Sequence, residues 1–267
     1  VPSIDDHGLA INPNPDKTNH KELLQPDVRM AFEYGVDRNA VAKQVFLGYA
    51  QPGSTIIPPA NGSFHNTLPA LPFDLKKANQ LLDQAGFAPS SDGVRVAQGH
   101  PMAYQVLIQP TDQREFQILQ GDFAKMGVTL TATALDAKAQ SAAITGPDKK
   151  YLSYDMALVT GTSGGYDPDF GLSTFTCFER GVLPATGYCD PAYDKLYFQQ
   201  KTAPAADRIK IIDQMQQMVY DSRAFVVVVY NDELATWSNK WTGFIVNPRG
   251  IFSTLSENSL TSVHQAH

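Results

Sequence analysis

Residues 104–135 read YQVLIQPTDQREFQILQGDFAKMGVTLTATAL. Tyr104–Gln109 is a short run of strand-forming residues that stops at Pro110-Thr111. Across Glu115–Met126, Phe116, Leu119, Phe123 and Met126 recur at the three- and four-residue spacing of one buried helix face. Gly127 ends that helix, and Val128–Leu135 alternates as a second strand. A strand, a helix and a strand within about thirty residues make parallel neighbours joined by a right-handed crossover. The fold class is therefore α/β.

The same signals extend in both directions. Asp27, following Pro26, is the expected N-cap of a helix carrying Val28, Ala31 and Phe32 on one face. Asp37 opens Arg38–Leu47, and Asp74 opens Leu75–Ala85, which Gly86 closes. Further helices are expected at Ala137–Ile144, Pro191–Lys201 and Pro204–Ser222, the last two with proline in the first turn. Strands are expected at Gly8–Asn12, Tyr154–Thr160, Ala224–Tyr230, Leu234–Trp237 and Thr242–Val246. Residues 49–73 are proline-rich and aperiodic, a loop long enough to suggest function or docking.

Composition narrows the function classes. The 267 residues are 43 % apolar and 18 % charged, enough to bury a core in one large or two small domains. The longest apolar run, Ala224–Tyr230, is far short of the roughly 20 residues of a membrane span. A net charge of −6, with no run of Lys or Arg beyond two, argues against nucleic-acid partners. Two cysteines, Cys177 and Cys189, stand close together without a CxxC and suit one local disulfide in an exported protein, or two free thiols.

Constellations for metal or catalytic chemistry are sparse. His7, His20, His65, His100, His264 and His267 are scattered in polar segments, with no H-E-x-x-H, and read as solvent-facing; no metal site is assigned. Asp167-Pro-Asp169 lacks the rest of an EF-hand, and no phosphate-binding glycine motif is complete. Gly161-Thr-Ser-Gly-Gly165 matches G-x-S-x-G directly after a strand, which raises an α/β serine hydrolase using Ser163. A turn-like Tyr166–Phe170 stands where the nucleophile elbow needs a helix. What remains is a strand-end loop, the usual ligand position in open α/β sheets. There Gly164 and Gly165 permit close approach, Tyr166 can stack, and Asp167 or Asp169 can receive an amine or hydroxyl. The alternative is an ordinary turn set by Asp167-Pro168.

Three segments, in order, carry a family resemblance. Asp27-Val-Arg-Met-Ala-Phe-Glu-Tyr-Gly-Val-Asp-Arg38, with Gly48-Tyr-Ala-Gln-Pro52 and Ile57-Pro-Pro59, is similar to "DVRxAxxYAIDR…GxGxP…IPP". Pro72-Phe-Asp-Leu-Lys-Lys-Ala-Asn-Gln-Leu-Leu-Asp-Gln-Ala-Gly86 is similar to "PYDPxKAKxLLxEAG". Gly187-Tyr-Cys-Asp-Pro-Ala-Tyr-Asp-Lys-Leu196, followed by Ala206–Tyr230, is similar to "GYxNPEYDxLL…R…Y…PxIPLY". Together they resemble the second lobe of family 5 extracytoplasmic solute-binding proteins, the peptide- and nickel-type receptors of ABC importers.

The resemblance implies a periplasmic-binding-protein-like lobe of the type II, peptide-receptor class, with a mixed sheet flanked by helices. It implies residues 1–25 as a hinge segment toward a missing N-terminal lobe, 26–240 as ligand-binding lobe two, and 241–267 as return segment and tail. The implied role is capture of a small solute, an oligopeptide first, for ABC permease subunits outside the cytoplasm. No cofactor, catalytic residue or nucleic acid is implied, and membrane contact comes only through an anchor outside this chain. The family loop "GWxxDYxDP", whose Asp pairs with a peptide amine, aligns with Gly161–Pro168. Thr162 then holds the Trp position and Gly165 the acidic one, with Ser163, Gly164, Tyr166, Asp167 and Asp169 completing the expected ligand-binding set.

Overall fold

The computed structural model describes residues 1–146, 151–152, 154–162, 165–180, 186–245 and 261–266. The strands are β1 (Pro2–Ile11), β2 (Ala50–Pro52), β3 (Val96–Ala97), β4 (His100–Pro101), β5 (Ala103–Ile108), β6 (Thr129–Ala134), β7 (Met156–Thr162), β8 (Phe225–Asp232), β9 (Trp241–Thr242) and β10 (His264–Gln265). The helices are α1 (Pro26–Tyr34), α2 (Arg38–Gln44), α3 (Leu75–Gln84), α4 (Gln113–Ala124), α5 (Ala137–Thr145), α6 (Asp169–Ser173), α7 (Pro191–Gln200) and α8 (Ala205–Ser222).

The crossover unit forms as its periodicity predicts. β5 and β6 pair in parallel from Ala103 opposite Thr129 to Ile108 opposite Ala134, and α4 crosses between them. Gly127 turns the chain out of α4 with φ +73, where a Cβ would run into the carbonyl oxygen of Gly93, so only glycine serves there. β7 lies parallel to β5 on its other side, and the full order is β2-β8-β1-β7-β5-β6.

β1 is the departure from expectation. It runs ten residues and lies between β7 and β8, antiparallel to both. The sequence signature covered only its apolar end, because Ser3 and Asp6 are buried polar residues that break the pattern. The resulting sheet is mixed.

Alternate residues send side chains to opposite faces. Leu9, Ile11, Val106, Ile108, Met156, Leu158, Val226 and Val228 pack beneath Val28 and Phe32 of α1, Leu82 of α3 and Phe116, Leu119 and Phe123 of α4. Ala10, Leu107, Ala157, Phe225 and Val227 face Ile144, Leu172, Tyr193, Tyr197, Ile212, Met215 and Val219 of α5–α8. Strands buried on both faces read as continuous apolar runs, which is why β8 was legible as VVVV.

Asp37, Asp74, Asp136 and Asp190 each accept a backbone N–H from the first turn of the helix they open. At α1 the N-cap is Gln25 rather than Asp27. Pro26 takes the first helical position, and Asp27 stands one residue inside, where it faces the helix dipole. Leu234–Trp237 forms no strand: Leu234 and Trp237 are exposed, and among the described residues no strand pairs with this segment. β9 is confined to Trp241–Thr242 and pairs with β10; Val246 lies outside the described residues.

Cys177 and Cys189 are bridged, with Cα atoms 4.5 Å apart, tying the end of α6 to the start of α7. Closing a loop of this length should contribute about 3 kcal/mol in the chain-entropy description. Reduction, or the Cys177→Ser/Cys189→Ser pair, is expected to lower the denaturation midpoint correspondingly. Two reactive thiols in denatured, unreduced protein would contradict the bridge.

Candidate functional site

Three parallel strands, β5, β6 and β7, end at one edge of the sheet, together with the start of β1 and the end of β8. Backbone groups leaving strands there lack ladder partners, and this edge of an open α/β sheet is where ligands bind. The loop that leaves β7 there carries the predicted residues. Ser163, Gly164 and the Thr162 side chain lie outside the described residues.

The described part of the loop is anchored rather than loose. Asn61, buried in the 3-10 turn Pro59–Phe64, donates from Nδ2 to the carbonyls of Gly165 (2.8 Å) and Tyr166 (3.1 Å). The proline-rich stretch 49–73 thus holds the loop after β7. With both carbonyls engaged, the Tyr166 ring stays 48 % exposed.

Asp167 and Asp169 are brought together, each with partners from the chain itself. Arg208 grips Asp167 with both terminal nitrogens, Nη1 to Oδ2 at 2.6 Å and Nη2 to Oδ1 at 2.7 Å. Those bonds hold the Asp167 carboxyl below the usual carboxylate range. Asp169 accepts from Gln200 Nε2 at 2.7 Å and Tyr197 Oη at 3.3 Å, with Lys201 Nζ 3.6 Å away. Asp167, Asp169, Lys201 and Arg208 line an open groove of about 420 Å³. Its wall is a chain of paired charges, so neither carboxylate is an idle counter-ion for an incoming amine.

The sequence reading missed a second cluster at this edge. Asp6 is 1 % exposed and stands opposite Gly161 in the β1–β7 register. A Cβ on Gly161 would collide with Asp6 Oδ1, so glycine is required for space. Burial pushes the Asp6 carboxyl up to about 7, with His7 acting in the opposite direction. His7 Nδ1 lies 3.4 Å from Oε2 of buried Glu115 at the start of α4. Burial alone would lower the His7 pKa, but the bond to Glu115 and its charge outweigh that and raise it. A carboxyl perturbed in this way at a strand edge makes Asp6 a candidate functional group. The local signal was the Asp5-Asp-His7 triplet just ahead of the apolar end of the strand.

Comparison with known proteins places these features. The profile of bacterial extracellular solute-binding proteins, family 5 Middle, matches residues 2–180. Glutathione-binding protein GsiB of Escherichia coli K12 is 25 % identical over 256 residues, covering 94 % of this chain and 47 % of GsiB. The solved structure of the periplasmic binding protein DppA from Helicobacter pylori, in complex with the peptide STSA, has a TM-score of 0.75 at 20 % identity. It covers 98 % of this chain and 47 % of that protein. NikZ from Campylobacter jejuni, in complex with Ni(L-His), gives 0.73 at 21 % identity over 94 % of this chain and 49 % of NikZ. The chain spans about half the length of these relatives. All three are named as binding proteins or solved with a bound solute, so the hydrolase reading of Ser163 gains no support. The chain belongs to family 5 of the bacterial extracellular solute-binding proteins.

Proposed function

We propose that this chain forms one wall of the solute cleft of an extracytoplasmic receptor that delivers an oligopeptide-class solute to an ABC importer. The observation that carries the reading is the anchored loop after β7. Asn61 fixes its backbone, Tyr166 is left exposed, and a groove lined by charges of both signs runs alongside. A wall of alternating charge suits a zwitterion, and an exposed tyrosine adds stacking area at little entropic cost. GsiB and DppA are described as binding glutathione and the peptide STSA, which supports the peptide class. The disulfide suits an oxidising compartment. Capture needs no bond cleavage, only closure of the cleft around the solute by hinge motion.

In this reading the Asp167–Arg208 and Asp169–Gln200 contacts are the scaffold that presents Tyr166 and the loop backbone. Native mass spectrometry of the gene product, purified without denaturation, is expected to show a discrete peptide-sized mass that leaves on unfolding. Tyr166→Ala is expected to reduce the occupied fraction several-fold while leaving the unfolding midpoint of the empty protein unchanged. Failure to find any retained mass, together with no stabilisation by tri- to pentapeptide mixtures, would overturn the proposal.

A further inference from the structure

At the opposite edge of the sheet, ahead of β5 and β7, two remote segments converge. His20 precedes the 3-10 turn Lys21–Leu24, and Glu22 within that turn is completely buried. His100 begins β4 in a hairpin whose turn residues, Gln98 and Gly99, have φ of 51° and 85°, the primed-turn geometry that fixes the next residue firmly. The His20 and His100 rings meet edge-on, with centroids 4.9 Å apart. One ligand-capable atom from each of His20, Glu22 and His100 lies within 4.8 Å of the others.

The hydrogen bonding shows what this cluster lacks. Glu22 Oε1 accepts from the Tyr104 hydroxyl at 2.9 Å and lies 3.3 Å from His20 Nδ1. Glu22 Oε2 is buried and has no hydrogen-bond partner. It faces His100 Nε2 at 3.9 Å, too long for a hydrogen bond. His100 Nδ1 lies 3.1 Å from the Pro101 carbonyl, which only accepts, so in the neutral ring the proton sits on Nδ1 and Nε2 presents its lone pair to Glu22. Two lone pairs therefore face each other across a gap that suits a bridging ion. Ligands held about 2.0–2.2 Å from zinc stand some 3.3–4 Å from each other.

We propose that His20, Glu22 and His100 bind one divalent transition-metal ion of the zinc type. Two imidazoles and one carboxylate match the borderline preference of zinc, whereas calcium and magnesium require an oxygen-rich shell. Two outer partners are in place, the Pro101 carbonyl on His100 and the Tyr104 hydroxyl on Glu22, while Asp155 Oδ2 stands 3.9 Å from His20 Nε2, beyond hydrogen-bond reach. Lys17, 2.7 Å from Asp155, balances that second carboxylate. The rings are partly exposed, which leaves an approach path and freedom for the small rotation that closes the triangle. The length of β7 separates this cluster from the loop after it by about 20 Å. The ion would pin the β3–β4 hairpin to the turn after β1 without entering the solute cleft.

The test is calorimetric titration of the chelator-stripped chain with zinc chloride, and in parallel with magnesium chloride. One zinc ion per chain is expected, with a higher unfolding midpoint and no magnesium response. His100→Ala, at a half-exposed ring, should fold normally and weaken zinc binding by more than about tenfold. Glu22→Gln, which keeps a partner for Tyr104, should do the same. His65→Ala, at a ring bonded to the Ile57 carbonyl, should bind as the parent does. Absence of saturable zinc binding, equal magnesium binding, or undiminished binding in both His100→Ala and Glu22→Gln would each overturn the proposal.

Discussion

Replacing Glu33 by alanine is expected to destabilise the fold by about 3–5 kcal/mol, the cost of leaving a buried ion network with its charges unpaired. Glu33 is 3 % exposed and receives Arg38 Nη2 on Oε1 and Arg223 Nη1 on Oε2, both at 2.8 Å. Each arginine side chain is itself almost completely buried. Without the carboxylate, two guanidinium charges stay out of water, Arg38 with the Val227 and Leu71 carbonyls and Arg223 over the Tyr220 ring. A domain held by about 5–15 kcal/mol would lose a large fraction of its margin. Urea unfolding of parent and variant, compared at equal slope, measures the loss. A change below about 1 kcal/mol would mean that the arginines reach solvent by rearranging, contrary to their burial.

This network explains the segment that carries the family resemblance. Arg29 donates to the Ser222 carbonyl at 2.8 Å, Glu33 binds Arg223, and Arg38 Nε donates to the Val227 carbonyl at 2.9 Å. Three charged residues of Asp27–Arg38 thus stitch α1 and the start of α2 to the corner where α8 turns into β8. Arg223 sits in that corner with φ 52°, and the network helps hold it there. The most recognisable motif of this chain is therefore a structural clamp, remote in sequence from the loop after β7.

Legibility followed sequence distance. The β5–α4–β6 unit was readable because its contacts are local, and the aspartate caps because each bonds within three residues of itself. The position of β1 was not, since its neighbours β7 and β8 lie some 150 and 220 residues along the chain. The strand-end loop was visible as a feature, yet the engagement of its carboxylates was not. Arg208 reaches Asp167 from 41 residues away, and Asn61 reaches Gly165 from 104. His20 and His100 read as isolated solvent-facing histidines and instead converge on Glu22, because a hairpin and a turn in separate parts of the chain share one end of the sheet. Side-chain type was legible everywhere; what each side chain meets was not.

Asp6→Asn is expected to stabilise the protein above neutral pH, by a few kcal/mol. In the native state burial keeps the Asp6 carboxyl protonated up to about 7, against an ordinary value of 3.8. Between those values the native state holds a proton that the unfolded chain has released, so stability must fall as pH rises through this window. At about 1.4 kcal/mol per unit, the roughly three units amount to about 4 kcal/mol. Asparagine has nearly the same shape, keeps an acceptor for the Gly161 N–H and carries no charge to bury. The variant should match the parent near pH 4, lose the decline between about pH 4 and 7, and exceed it at pH 8. A parent whose stability is flat across that interval would show that the carboxylate is hydrated and the argument wrong. Asp6 stands opposite Gly161, just ahead of the loop after β7, and its Oδ1 is buried without a hydrogen-bond partner.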